Sequence, residues 1–255
     1  MTKPPIIKPL GLGPSILYFG IPAAFFSASI LGLLPWLVRR GTPTFAVFMV
    51  TFAGPLAAML LAALLAYRIE GHPWSWTAFR DRMRLRRPTL SDWLWTIGLV
   101  AVSLGGGLLL GPITSAFSGM TIYDAPAEFT QFMTAMRAGN LIDGPLVGRW
   151  DVLAVMVIGL VVFNIGGEEL WWRGIILPRQ ELALGKWAWL VNGLLWDLFH
   201  IFYHTTVASI VGYLPVTVPL AFVAQRTRNT WPGIVAHLAT NIGLPIAMFL
   251  KVIGR

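Results

Sequence analysis

Long apolar runs separated by short polar breaks dominate the chain. Runs of about 20 residues fall near 15–38, 44–67, 92–117, 152–178, 187–204, 207–225 and 231–250, each long enough to cross a hydrocarbon core. A backbone in lipid must satisfy its own polar groups, so each run is expected to be a helix. The pattern predicts an all-α, polytopic transmembrane helical bundle of about seven to eight spans. Residues 1–255 leave no room for an appended soluble unit, so one integral membrane domain is expected. The first ten residues, M-T-K-P-P-I-I-K-P-L, are too rich in proline for a signal-peptide core, and the run behind them is long enough to span; no cleaved leader is expected. No internal repeat of the kind that builds paired-repeat transporters is visible.

The polar breaks give the chain a direction. The connection 68–91 carries Arg68, Arg80, Arg82, Arg84, Arg86 and Arg87 interleaved with Trp74, Trp76 and Phe79, a composition suited to lying on an anionic leaflet and preferred here over nucleic-acid binding. The positive-inside rule then assigns this connection to the cytoplasm, together with Lys3, Lys8, Arg179, Lys186, Arg226 and Arg228. Arg39 and Arg40 are a mild exception. The opposite connection, 118–151, carries Asp124, Glu128, Asp143 and Asp151 against Arg137 and Arg149 and is net acidic.

Composition agrees. Hydrophobic residues make up 56% and charged residues 12%, and the mean hydropathy is +0.70, outside the range of soluble domains, where about a quarter of residues are charged. There is no cysteine, which excludes disulfides and thiolate metal ligands. The partners implied are the lipid bilayer and a membrane-associated substrate, with no nucleic acid. The cell (plasma) membrane is the expected location.

Against this background, ionisable residues inside apolar runs stand out, since each costs on the order of 2.5 to 3.5 kcal/mol to insert. Three segments carry them: G-G-E-E-L-W-W-R at 166–173, W-D-L-F-H at 196–200 and H-L-A-T-N at 237–241. Counting helical rise from the inner ends puts Glu168 about 15 Å deep, His200 about 21 Å and His237 about 9 Å, levels compatible with one cavity open to the cytoplasm.

Spacing suggests roles. Glu169 and Arg173 are four apart on one helix face with the acid first, the order that favours a salt bridge, and in hydrocarbon neither charge is tolerable alone. Their role is read as structural. Glu168 points about 100° away and is left for proton chemistry, since desolvation moves a carboxyl group towards the basicity a general base needs. His237 and Asn241 are again four apart, so their side chains can donate to a single oxygen, as an oxyanion hole requires. Asp197 and His204 are additional polar groups, the latter expected at the membrane interface. The tryptophans at 171, 172, 187, 189 and 196 read mainly as lipid or packing contacts.

At these residues the chain resembles the CAAX protease and bacteriocin-processing family, the type II CAAX prenyl endopeptidase-like intramembrane proteases. The resemblance rests on Glu168-Glu169-x-x-x-Arg173, Trp196-x-x-x-His200 and His237-x-x-x-Asn241, in that order on successive helices. It covers about 152–245, so 152–250 is read as the catalytic part. Trp196 departs from the phenylalanine commoner in the second motif. The resemblance implies a glutamate-dependent endopeptidase in which Glu168 and His200 activate water, His237 and Asn241 stabilise the oxyanion, and no cofactor is bound. Two alternatives remain: a zinc protease with Glu168, His200 and His237 as ligands, which zinc accepts, and a non-catalytic scaffold or proton-coupled transporter. The implied substrate is a membrane-associated or lipidated protein or peptide.

Overall fold

The computed structural model describes residues 7–255, and among these the chain is helical with no strand, the all-α bundle expected. Lys3, assigned above to the inner side, lies outside the described residues. The principal helices are α1 (Leu12–Arg39), α2 (Thr44–Ile69), α3 (Trp76–Arg82), α4 (Leu90–Leu109), α5 (Gly111–Ala116) and α6 (Ala127–Arg137). They are followed by α7 (150–184), α8 (Ala188–Phe199), α9 (Val207–Thr227), α10 (Trp231–Asn241) and α11 (Gly243–Val252).

Length and composition alone give fewer crossings than the expected seven to eight. Five helical runs are long and apolar enough to cross a membrane, or six if the bent pair α10 and α11 forms one crossing. One of the five, Trp150–Phe202, is not a single rod. It turns at Gly185, whose φ of 56° is readily available to glycine, and α8 then runs back along α7. Asn192 Nδ2 donates to Gln180 Oε1 at 2.9 Å and to the Trp172 carbonyl at 3.2 Å, and Trp196 Nε1 reaches Glu168 Oε2 at 2.7 Å. Counting the two arms of this hairpin separately raises six crossings to seven. The second arm, α8 with the turn His200–Phe202, falls short of the roughly 20 residues of an ordinary span.

Two other expected spans are interrupted. The run 92–117 breaks after Leu109, where Gly111-Pro112 starts the separate α5; the fixed φ and missing N–H of proline suit the first turn of a new helix. The run 231–250 bends by 50° between α10 and α11, directly after Asn241.

The bundle is apolar outside and polar within. Leu17, Ile21, Leu61, Leu65, Ile97, Leu104 and Leu108 are exposed, while Ser15, Glu168, Glu169, Arg173, Gln180, Asn192, Asp197, His200, Thr217 and His237 are buried. This is the arrangement a lipid solvent selects, because polar groups find partners only between helices. One such network ties three helices: Ser15 Oγ on α1 accepts from Gln180 Nε2 on α7 at 3.0 Å, and Gln180 accepts from Asn192 on α8.

The arginine-rich connection is less free than its composition suggests. Arg82 is buried and forks onto Glu70 through Nε and Nη2 at 2.5 and 2.8 Å. Arg84, in left-handed backbone at φ 55°, forks onto Glu181 at 2.7 and 2.6 Å, and Arg86 reaches Asp92 at 3.3 Å. Much of the charge expected to face a leaflet therefore clamps the connection to α2, α4 and α7.

Helix contact at α4 and α9 depends on one glycine of a triplet. A Cβ on Gly106 would lie 2.3 Å from Pro215 Cβ, whereas one on Gly105 or Gly107 would meet nothing within 4 Å. Gly106→Ala is therefore expected to destabilise by about 1 to 3 kcal/mol and to lower the unfolding midpoint in detergent, while Gly105→Ala and Gly107→Ala leave it unchanged or raised. Thermal unfolding of the three variants checks this.

Candidate active site

The two glutamates stand on the short α-helical turn Gly167–Glu169, between stretches of wider π-helical winding at Gly159–Gly166 and Leu170–Ile176. Such winding shifts side chains off the regular helical register and is frequent at functional sites. Here it brackets the α-helical turn on which Glu168 and Glu169, about 100° apart, face different neighbours.

Glu169 faces α10. Its Oε1 accepts from Arg173 Nη1 at 3.2 Å and from His237 Nδ1 at 3.1 Å, and all three side chains are buried. Close approach of α10 requires Gly233, since a Cβ there would lie 2.6 Å from Glu169 Oε2. The Arg173 guanidinium also sits 3.9 Å over the Trp196 ring, a cation–π contact strengthened by the absence of water. Glu169 thus bridges two basic groups, and the partner role for His237 was not legible from spacing within one helix.

Glu168 faces α8. Its Oε2 accepts from Trp196 Nε1 at 2.7 Å and from Trp172 Nε1 at 3.3 Å, and His200 Nε2 lies 3.9 Å away. His200 Nδ1 is 2.8 Å from the Trp196 carbonyl. A carbonyl only accepts, so Nδ1 carries the proton and, in the neutral ring, Nε2 presents its lone pair towards Glu168. Two acceptors face each other across a gap too long for a hydrogen bond and suited to a bridging water.

Trp196 links the two halves of the site. Its N–H holds Glu168, its carbonyl orients His200, and its ring packs 5.3 Å from that of His237, centroid to centroid. Trp172 and Trp196 are therefore more than packing residues. The signal available in the sequence was their spacing: Trp172 is four after Glu168, and Trp196 is four before His200.

Other candidates are placed elsewhere. Asn241 does not share a target with His237; its Nδ2 donates to the His237 carbonyl at 3.0 Å and to Thr240 Oγ1 at 3.3 Å. Asp197 accepts from Thr217 Oγ1 at 3.1 Å instead of orienting His200. His204, expected at the interface, is buried between Tyr203 and Tyr213, since the turn after α8 folds it back into the bundle. The cavity expected to open to the cytoplasm is closed around the key groups: Glu168, His200 and His237 are each no more than 4% exposed.

Among the described residues no three His, Asp or Glu side chains are disposed to hold a metal ion. Glu169 engages His237 through Nδ1 and the Trp196 carbonyl engages His200 through Nδ1, which leaves both Nε2 atoms open, while Glu168 Oε2 is held by two indoles.

Residues 150–243 match the family described as Type II CAAX prenyl endopeptidase Rce1-like, and every residue from Glu168 to Asn241 lies within the match. No curated protein and no solved structure matches the chain. The motif-bearing segment is thus similar to the CAAX protease family, as the three motifs implied, and the long apolar helices around it make the chain an integral membrane protein.

The adjacent glutamates are expected to respond differently to substitution. Glu169→Ala strands Arg173 without a carboxylate, a loss of about 3 to 5 kcal/mol, while Glu168→Gln keeps an acceptor for the Trp196 N–H and changes stability little. Unfolding midpoints and yield of folded protein distinguish the two.

Proposed function

We propose that the chain is an intramembrane glutamic endopeptidase that hydrolyses a peptide bond of a membrane-associated or lipidated substrate. The observation that carries this is the 3.9 Å approach of Glu168 Oε2 and His200 Nε2, both acceptors in their basic forms. A water between them donates one hydrogen to each. As its oxygen attacks the scissile carbonyl, one of the two takes its proton and later delivers it to the leaving amine. The indole N–H groups of Trp172 and Trp196 hold Glu168 in place, and the Trp196 carbonyl fixes the His200 tautomer.

The oxyanion falls to His237. Its Nδ1 donates to Glu169, so only the doubly protonated ring also has an Nε2–H to offer an oxyanion. Asn241 joins by rotating its amide away from the His237 carbonyl. The reaction is metal-free, and the active site faces the cytoplasm on the side of the arginine-rich connection, in the plasma membrane. A substrate reaches the buried groups by parting the helices from the lipid side, which suits a lipid-tethered or transmembrane peptide.

The test is cleavage of a quenched fluorescent lipidated peptide by purified protein. Glu168→Gln and His200→Ala are each expected to lower kcat by about 10² to 10⁴, while a strong zinc chelator leaves the wild type unchanged. Loss of activity with chelator favours the zinc alternative. A folded wild type that cleaves no member of a lipidated and transmembrane peptide panel favours the scaffold or transporter.

A further inference from the structure

A cleft unrelated to the buried carboxylates opens on the outer side of α1, α2 and α7 at the arginine-rich end. Its volume is about 720 Å³, and it is lined by Tyr18 on α1, Ala62, Leu65, Ala66 and Ile69 on α2, Trp171 and Arg179 on α7, and Lys8 and Glu70 at the rim. Leu65 and Ile69 are 61% and 84% exposed, so the apolar wall faces the bilayer side. The rim is charged. Arg179 donates from Nε to the Lys8 carbonyl at 3.1 Å, which draws the two residues together, and its guanidinium lies 5.3 Å over the Tyr18 ring. Neither cation has an acidic partner among the described residues. Glu70, the cleft's one acid, is occupied by the two-point contact with Arg82.

The lining is thus apolar along the membrane side and cationic at the membrane surface. An occupant matched to both has an anionic headgroup and a hydrocarbon tail. We infer that the cleft is a binding site for one anionic phospholipid, its phosphate between Lys8 and Arg179 and an acyl chain along Ala62, Leu65, Ala66 and Ile69. An inorganic anion matches the rim and leaves the wall bare; a zwitterionic lipid matches the wall and brings its own cation to the rim. The site is independent of the proteolytic reading. It has a mechanical consequence all the same: Trp171 forms its wall, and the next residue, Trp172, holds Glu168.

The experiment uses delipidated full-length protein in a neutral detergent, titrated with phosphatidylglycerol, phosphatidylcholine or inorganic phosphate, with the unfolding midpoint and native mass spectrometry as readouts. Phosphatidylglycerol is expected to bind at one site and raise the midpoint; phosphatidylcholine and inorganic phosphate do neither. Lys8→Gln and Arg179→Gln each weaken binding about fivefold, the factor for about 1 kcal/mol per cation, and Lys8→Arg restores it. Ala66→Phe, which fills the wall and leaves the rim intact, abolishes binding. Equal binding of phosphatidylcholine, an undiminished phosphatidylglycerol response in both charge variants, or full stabilisation by inorganic phosphate overturns the proposal. Lys8 is exposed, and its side chain makes no hydrogen bond among those described, so its variant separates lost binding from lost folding.

Discussion

Arg173 is fully buried in a helix whose surroundings are hydrocarbon and other helices, and a guanidinium there persists only beside a carboxylate. Its pairing with Glu169 is the constraint from which the rest of the site follows. The pair stands one turn apart on α7, and its carboxylate reaches across to His237 on α10. That bridge in turn demands the close approach permitted by Gly233 and seats the Trp196 ring against the guanidinium. Charge neutralisation within one helix thereby sets the positions of two more.

A division of labour follows between neighbouring carboxylates. Glu169 is spent on two basic side chains, Arg173 and His237, while Glu168 receives only the weakly polar indole donors of Trp172 and Trp196 and faces an imidazole across a gap. Position in a network, more than intrinsic acidity, separates a structural group from one available to a proton. The hairpin of α7 and α8 makes this possible, because residues 28 apart in sequence meet at hydrogen-bond distance. Polar locks at Ser15, Gln180 and Asn192 hold that hairpin to α1 without a hydrophobic driving force, as membrane interiors require.

Apolar run length and the depth of the ionisable residues made the helical membrane bundle legible from sequence, and four-residue spacing made the Glu169 and Arg173 pair legible too. What lay beyond reach depends on contacts between helices. Spacing within α10 put His237 and Asn241 on one face but said nothing of Glu169 capturing the imidazole or of the Asn241 amide folding back on its own turn. Periodicity assumes 3.6 residues per turn, and the π-helical winding around the glutamates breaks that assumption. The arginines near 84 read as a surface patch because a run of charge does not say which members pair: Glu70 and Asp92 lie close by in sequence but pair only once the connection folds back, and Glu181 is 97 residues from Arg84. A turn at Gly185 and a bend after Asn241 likewise left the number of crossings open to revision.

The central claim is that Glu168 acts on water and not on the peptide carbonyl itself. Single-turnover hydrolysis in ¹⁸O-labelled water, followed by mass analysis of both the product and the proteolytic peptide containing Glu168, tests it most directly. Direct attack by water places ¹⁸O in the new carboxyl group of the product and none in Glu168. Label in the Glu168 carboxylate after one turnover would show an acyl-enzyme intermediate and contradict the account.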